Sequence, residues 1–401
     1  MKRYWRLVTI ITVVALTVGT FYIQSALSAS GSPEIVFEKI SGNKDELDPV
    51  VLEGLLNPGS GMSADERVKV TAEGAMYERK QSFLERISGS FFGNDMQRLK
   101  EKHRGFMRGK SGNASFFYET DSTLAYAAVN NQSARISESN MEFDVAVMDK
   151  DNGKTLSFNV PIPNRAKYVQ VWVEDVQMID GELKVITQNF FRDGGNGELL
   201  YRFDITNEEI NGKETIATAD NQEGNKRKHI QLLSSSDQIG AHPYVIFSKT
   251  TEMRRQKQGH AQTTTEKRER KFIVYNLKTD EKKSVKAPNS VAGKDVLMYK
   301  KETLYFRDEN QIVTYNWKND EITGKLKLPS LKEGGQTLVK IAEDNIYVLN
   351  SQIESSLEPG SAPVLVILDS DSGDVLYKGE VVTEEPVAKN AYLNIYELMI
   401  K

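Results

Sequence analysis

The chain reads IVYNLKTDE at residues 273–281 and, forty residues later, VTYNWKNDE at residues 313–321. Each copy begins with β-branched and aromatic residues, passes through a polar Asn/Thr/Asp segment and continues to a proline, Pro288 or Pro329. β-Branched and aromatic residues favour strands, whereas Asn, Asp and Pro mark the turns and strand ends. Each copy therefore predicts a β-hairpin, and the chain repeats itself in this region.

Five units of this kind recur along residues 115–385, each with two predicted hairpins. A strand of the first hairpin is expected at Leu124–Tyr126, Leu183–Ile186, Tyr244–Phe247, Leu304–Phe306 and Ile346–Leu349. The turn of the second hairpin follows each of these strands, around Asp149, Asp204, Asn276, Asn316 and Asp369. The turn-to-turn spacings of 55, 72, 40 and 53 residues are irregular. We therefore interpret residues 207–228 and 250–271 as polar insertions.

Two of these turns, MDKDNGK at 148–154 and LDSDSGD at 368–374, resemble the outer turns of β-propeller blades. Tyr275-Asn276 and Tyr315-Asn316 are weaker copies. The chain thus resembles bacterial extracytoplasmic β-propellers with quinoprotein-like or YVTN-like blade repeats, in which about 40 residues form one four-stranded blade. The resemblance implies an all-β fold, a propeller of six or seven four-stranded blades.

The tryptophan content bears on whether the chain binds a quinone cofactor. Quinone-binding members of the class that the chain resembles carry a tryptophan docking pattern, whereas this chain has three tryptophans, Trp5, Trp172 and Trp317. Trp5 lies in the N-terminal segment, so two remain for the folded part. The docking pattern is missing, and no cofactor is expected.

Two segments differ from the repeat. Residues 78–110 carry Met96, Leu99, Phe106 and Met107 among Lys and Arg at helical spacing, after an Asn94-Asp95 start signal. This pattern predicts a short helical insertion. Residues 392–398, YLNIYEL, alternate as a strand, and we expect them to pair with N-terminal strands because an unpaired edge strand promotes aggregation.

Residues 1–30 are predicted to be a signal-anchor. Lys2, Arg3 and Arg6 precede Leu7–Ile23, which is seventeen residues long and carries no charge. A positive segment before an apolar one directs export, and a membrane-spanning helix needs about 17–25 apolar residues. Residues 7–23 are therefore expected to cross the cell membrane once and to hold residues 34–401, one propeller domain, outside the cytoplasm. A cleaved signal and a secreted protein is the alternative.

Composition describes the exported part. The chain is 39% hydrophobic and 27% charged, as in folded globular domains rather than disordered ones. It has no cysteine, which excludes disulfides, thiolate metal sites and cysteine nucleophiles. The net charge of −4 becomes about −7 without the three N-terminal cations, so nucleic acid is not expected as a partner.

The sequence contains no pattern that identifies a reaction. The paired aspartates at 149 and 151, and at 369 and 371, superficially resemble calcium loops, but their glycine spacing is wrong and they fit hairpin turns. The four histidines, His103, His229, His242 and His260, show no metal-ligand spacing, and His242 is expected to be the packed one. No catalytic or metal-binding residue is predicted.

The segment 250–271 stands out by its charge. It is rich in cations and lies in an otherwise acidic domain, so it suits an anionic envelope polymer or an acidic protein partner. The candidate contact residues are Arg254, Arg255, Lys257, Lys267, Arg268 and Arg270. A solvated loop without a partner is the alternative.

We therefore expect a membrane-tethered binding or regulatory module without catalytic activity. The alternative is a cell-envelope hydrolase or lyase that uses acidic residues in the propeller funnel. Paired carboxylates with strongly shifted pKa values in one pocket would favour the enzyme.

The N-terminal prediction is tested by fractionating cells that express the full chain. The protein should be recovered with membranes and should keep its N-terminal residues. A mature chain in the medium that begins near residues 29–31 would contradict the anchor.

Overall fold

The computed structural model describes residues 33–59, 65–80, 94–131, 141–219, 226–233, 239–256, 263–328, 336–342, 344–352, 355–358, 360–385, 387–388 and 391–400. The first strands are β1 (Ile35–Gly42), β2 (Val50–Asn57), β3 (Glu66–Thr71), β4 (Gly74–Tyr77), β5 (Phe117–Glu119), β6 (Thr123–Asn131), β7 (Met141–Asp149), β8 (Thr155–Pro161), β9 (Tyr168–Ile179), β10 (Glu182–Phe191), β11 (Asn196–Asp204), β12 (Glu209–Ala219) and β13 (Lys226–Leu232). The others are β14 (Tyr244–Gln256), β15 (Thr263–Asn276), β16 (Lys282–Lys286), β17 (Asp295–Lys300), β18 (Thr303–Asp308), β19 (Gln311–Asn316), β20 (Glu321–Lys327), β21 (Gln336–Ala342), β22 (Asn345–Ser351), β23 (Ser355–Ser356), β24 (Val364–Asp369), β25 (Val375–Thr383) and β26 (Tyr392–Ile400).

The described residues form six antiparallel sheets of four or five strands, which confirms the all-β prediction. Four sheets have four strands that pair in chain order: β5–β8, β9–β12, β13–β16 and β17–β20. Such a meander is the form of one propeller blade. The chain divides into two compact units, one of residues 98–328 and one of residues 1–97 with 329–401.

Apolar contacts stack the four sheets of the 98–328 unit in chain order. One core lies between the β5–β8 and β9–β12 sheets and includes Phe143, Tyr201 and Phe203. A second core joins β9–β12 to β13–β16, and a third joins β13–β16 to β17–β20. Each inner sheet is thus covered on both faces, which explains why its strands carry apolar residues on both sides.

The other unit contains the two remaining sheets, ordered β1-β25-β24-β22-β21 and β23-β26-β2-β3-β4, around one apolar core. β26 pairs with β2 from Val50 opposite Ile400 to Asn57 opposite Tyr392. The expected pairing of the C-terminal strand with N-terminal strands is therefore confirmed. The pairing of β1 with β25 adds a second such junction that the sequence analysis did not anticipate.

All five predicted turns are present, and each is closed by its first polar side chain. The side-chain oxygen accepts hydrogen bonds from the backbone N–H groups two and three residues later at Asp149, Asp204, Asn276, Asn316 and Asp369. This is the Asx-turn, for which Asp and Asn are the preferred residues. The aspartates of the two calcium-like patterns therefore act as turn residues.

The interpretation of 207–228 and 250–271 as insertions between strands is wrong for most of their length. β12 and β13 cover much of the first segment, and β14 and β15 extend through the second to Gln256 and Thr263. The strands continue because their backbone groups pair in register, for example Thr251 with Glu269. Polar residues form strands where their backbone N–H and C=O groups are hydrogen-bonded to a neighbouring strand and their side chains stay solvated.

The helical insertion is confirmed as two short helices, α1 (Asn94–Lys102) and α2 (Arg104–Met107). Their apolar residues Met96, Leu99, Phe106 and Met107 are buried. In the part of the chain that the structure describes, no helix has the length and apolar character to span a membrane. The predicted anchor at residues 1–30 lies outside the described residues.

An ion-pair network around the buried Lys184 links the β9–β12 and β13–β16 sheets. Lys184 is 4% exposed, and its Nζ donates to the Leu277 carbonyl at 2.6 Å and to Asp280 Oδ1 at 2.8 Å. Arg202 Nη2 lies 3.1 Å from the same carboxylate oxygen and 2.9 Å from Glu214 Oε2. The two cations hold the pKa of Asp280 below its usual range, although burial opposes them.

Lys184→Met should lower the free energy of unfolding by about 1–3 kcal/mol, because it leaves the buried Leu277 carbonyl without its donor and Asp280 with one cation fewer. The measurement is urea unfolding followed by circular dichroism. The control is Lys278→Met, in the turn that also carries Asp280. Lys278 pairs with Asp180, and the two side chains are 67% and 73% exposed. The control should change stability by less than about 0.5 kcal/mol. Equal effects of both variants would contradict a role for the network.

Candidate functional site

A β-bulge in β9 places two acidic residues side by side. Val173 pairs with Thr187 and Asp175 pairs with Ile186, so Glu174 has no partner on β10. Val173 and Val176 both face the core shared with the β5–β8 sheet. In a regular strand one residue separates two that face the same side, whereas two residues separate Val173 from Val176. A bulge of this kind redirects a side chain, and bulges are common next to functional sites. Glu174 and Asp175 consequently both line one pocket.

A row of three residues crosses the same sheet. Trp172 on β9 lies opposite Gln188 on β10, which lies opposite Glu198 on β11. Gln188 Nε2 donates to Glu198 Oε1 at 3.0 Å and to the Ile230 carbonyl at 3.4 Å. Trp172 is 50% exposed whereas Glu198 is fully buried. The row therefore runs from an accessible aromatic ring to a buried carboxyl group that Gln188 holds in place.

Glu174 and Glu198 form a carboxyl pair. The two side chains lie close enough for each to change the pKa of the other. Burial and the neighbouring Glu174 carboxylate raise the pKa of Glu198 to about 10. Burial also raises the pKa of Glu174, and Asp175 adds to the effect. Because two adjacent buried carboxyls do not both ionise, Glu198 keeps a proton at neutral pH.

Asp175 belongs to a separate hydrogen-bonded group with Gln177 and His242. His242 Nε2 lies 3.2 Å from Asp175 Oδ2, and His242 Nδ1 lies 3.2 Å from Gln177 Nε2. The backbone N–H of His242 donates to Gln177 Oε1 at 3.1 Å. Both ring nitrogens thus have partners within the protein, so His242 orients Asp175 rather than serving as a base. The expectation that His242 is packed is confirmed.

Glu174, Asp175, Gln188 and His242 line a cavity of about 530 Å³, a volume in the range of small-ligand sites. Its apolar wall includes Phe190, Leu232, Leu233, Val245 and Tyr299. Tyr299 donates from its hydroxyl to the Tyr244 carbonyl at 2.9 Å, and burial raises its pKa above the usual range. The cavity therefore combines an apolar wall with the carboxyls of Glu174 and Asp175, whereas Glu198 influences Glu174 without lining the cavity. In the described part of the chain, no group of three or more His, Asp or Glu is arranged to hold a metal ion.

The predicted contact residues of the basic segment lie elsewhere. Arg254 and Arg255 are in β14, Lys267, Arg268 and Arg270 are in β15, and Lys257 falls outside the described residues. Arg270 is 7% exposed and donates to the Lys294 carbonyl. Arg270, whose side chain is described, does not line the carboxyl-pair cavity. The partner contact stays a prediction.

The sequence analysis missed the carboxyl pair, although one local signal was present. Residues 169–173, VQVWV, alternate as a strand, and the adjacent Glu174-Asp175 breaks the alternation before Val176 continues it. An interruption of this kind indicates a bulge. Nothing in the sequence joins Glu174 to Glu198, because their contact depends on the register between β9, β10 and β11.

Comparisons with known proteins find no match to any family model or curated protein. Similar solved structures include the β-propeller domain of the Trilobed protease from Pyrococcus furiosus (9% identity, TM-score 0.32, 91% of this chain and 97% of that one). They also include the periplasmic gluconolactonase PpgL of Pseudomonas aeruginosa, at 10% identity and a TM-score of 0.33 over 86% of this chain and 100% of that one. Dipeptidyl peptidase 4 of Porphyromonas gingivalis matches at 10% identity and a TM-score of 0.35 over 78% of this chain and 42% of that one. The chain spans about two fifths of the length of the two dipeptidyl peptidase structures that it resembles.

The expectation of a module without catalytic activity is contradicted. The similar structures are mostly enzymes, among them peptidases, a xylosidase and a gluconolactonase. At this identity the likeness concerns the fold, and it assigns neither a reaction nor a substrate. The proton-sharing carboxyl pair is the feature that the sequence analysis named as favouring an enzyme.

Glu198→Gln should stabilise the protein, and the gain should grow with pH. A carboxyl whose pKa is raised on folding contributes stability below its unfolded pKa of about 4.3 and loses it as pH rises toward the folded pKa. The neutral amide avoids that loss, so unfolding measurements at pH 4 and pH 8 should show a larger gain at pH 8. The exposed Glu209→Gln in β12 is the control and should show no such trend. A gain independent of pH would contradict the raised pKa.

Proposed function

We propose that this protein is a hydrolase that acts outside the cytoplasm, with Glu174 as its acid–base group and buried Glu198 as the partner of Glu174. The observation that carries the proposal is the mutual influence of these two carboxyls, one of which, Glu174, lines the cavity. The export pattern of residues 1–30 supports the location, either tethered to the membrane or secreted. A propeller of six blades is part of the same proposal, supported by the six antiparallel sheets.

The spacing of the pair favours amide hydrolysis over glycoside hydrolysis. The carboxyls of most glycosidases lie about 5–9.5 Å apart, which leaves room for the sugar or a water between them. Here the carboxyls are within hydrogen-bonding distance of each other. Two carboxyls that share one proton are the arrangement by which aspartic proteases activate water against a peptide bond.

The reaction follows from the protonation states. Ionised Glu174 takes one proton from a water molecule while the water oxygen attacks the amide carbonyl carbon. Glu174, now protonated, gives this proton to the amide nitrogen as the carbon–nitrogen bond breaks, which yields a carboxylic acid and an amine. Glu174 is then ionised again, and buried Glu198 keeps its own proton throughout. The pair therefore resets itself without another residue.

Supporting residues have distinct tasks. Gln188 fixes one oxygen of Glu198, so its remaining oxygen is free to face Glu174. His242 and Gln177 fix Asp175, whose negative charge helps to keep the proton on the pair. The apolar wall limits the water in the cavity, which strengthens the charge interactions among these groups.

Glu174→Gln should lower kcat about 10²–10⁴-fold, the usual contribution of a general acid or base, and Glu198→Gln should lower kcat less because Glu198 acts through Glu174. The measurement is cleavage of a library of quenched fluorescent peptides by the full chain, with Glu209→Gln as the control. Because the pKa of Glu198 is raised, wild-type activity should persist above neutral pH. Wild-type rates in both variants, in folded protein, would refute the assignment.

A further inference from the structure

Trp172 lies between two cavities. It lines the carboxyl-pair cavity and also a second cavity of about 480 Å³, and Val173 is shared in the same way. The second cavity lies between the β5–β8 and β9 strands and includes Phe116, Tyr126 and Asp144. A ligand long enough to cross Trp172 would therefore occupy both cavities. We call the second one the Asp144 subsite.

The lining of both cavities is anionic. Glu174 and Asp175 contribute carboxyls to the first cavity and Asp144 contributes one to the second, and no Lys or Arg lines either cavity among the described residues. Such a lining disfavours anionic ligands and attracts cationic ones.

The Asp144 subsite combines aromatic rings with a carboxylate. Phe116 and Tyr126 pack edge to face at 6.4 Å, and exposed Trp172 lies at the border. An ammonium group is attracted to the faces of such rings, and a nearby carboxylate adds a charge partner. This combination suits a primary amine on an alkyl chain better than a neutral hydroxyl group.

The side chain of Lys110 already lies over two aromatic rings, one of which, Tyr126, belongs to the subsite. The ammonium of Lys110 lies 4.4 Å from the ring centroid of Phe106 and 5.3 Å from that of Tyr126. Burial lowers the pKa of Lys110 and the charge of Asp144 raises it, so the two groups interact. Lys110 does not itself line the subsite, and its ammonium reaches the rings from beside it. A lysine-type amine therefore fits these rings in the folded protein.

We propose that the Asp144 subsite binds the side-chain amine of a lysine-like residue in a peptide substrate. The peptide crosses Trp172 and places an amide bond at Glu174. Lys110 competes with the incoming amine for the Tyr126 ring and for Asp144. This inference rests on the proposed function for the position of the cleaved bond, whereas recognition of the amine does not depend on it.

Binding is measured with the full chain carrying Glu174→Gln, so that no peptide is consumed, and Trp5→Phe, which leaves Trp172 and Trp317. Trp172 is 50% exposed and Trp317 is 5% exposed, so acrylamide quenching reports on Trp172. The probes are Ala-Ala-Lys-Ala-Ala and its Nε-acetyl-lysine and glutamate counterparts. The lysine peptide should protect Trp172 and bind at least ten-fold more tightly than the other two.

Two variants test the subsite itself. Asp144→Asn should abolish the ten-fold preference, while Asp151→Asn, in an exposed turn of the same sheet, should keep it. Lys110→Met should increase affinity for the lysine peptide several-fold because the competing amine is gone, and a misfolded variant would not gain affinity. Equal binding of the three peptides, no peptide binding, or an unchanged preference in Asp144→Asn would overturn the proposal.

The outcomes separate this inference from the proposed function. A lysine preference that depends on Asp144, combined with normal peptide cleavage by Glu174→Gln and Glu198→Gln, would remove the catalytic assignment and leave the amine subsite standing. Loss of cleavage in the glutamate variants without any lysine preference would keep the catalytic assignment and remove the amine subsite.

Discussion

The structure depends on one constraint, that a sheet with apolar residues on both faces must be covered on both. In the 98–328 unit, the β9–β12 and β13–β16 sheets each lie between two apolar cores. Apolar packing has no direction of its own, so polar contacts fix how neighbouring sheets are placed. Lys184 and Arg202 do this by converging on Asp280 of the next sheet.

The same packing creates the chemistry of the candidate site. Glu198 lies on a strand between apolar cores, where a lone carboxylate would be costly, and it keeps its proton instead. The bulge at Glu174 brings a second carboxyl to the same face, and Gln188 and His242 hold the acidic groups in position. A proton donor and a proton acceptor thus arise from one strand irregularity in a tightly packed sheet.

Much of the local structure was predictable because it depends on neighbours in the chain. The Asx-turns form through hydrogen bonds between a side chain and backbone groups two and three residues away, so Asp149 and Asn276 indicate them directly. The helix after Asn94 was predicted for a similar reason, whereas the long-range pairing of β26 with β2 was expected because an unpaired edge strand is unfavourable. The polar strands β13 to β15 were missed because composition indicated loops, whereas cross-strand pairing decided the outcome.

By itself, the sequence determined the all-β class, the positions of the turns and of many apolar strands, the absence of cysteine chemistry and the export pattern, since each depends on a contiguous stretch of residues. Only the tertiary structure decided which acidic residues meet among the 56 in the chain. Glu174 on β9 and Glu198 on β11 are separated by one strand, β10, and their contact requires a particular register and a bulge. The Asp144 subsite likewise requires the β5–β8 sheet to lie against β9. Register and sheet packing are collective properties, so no single stretch of residues encodes them.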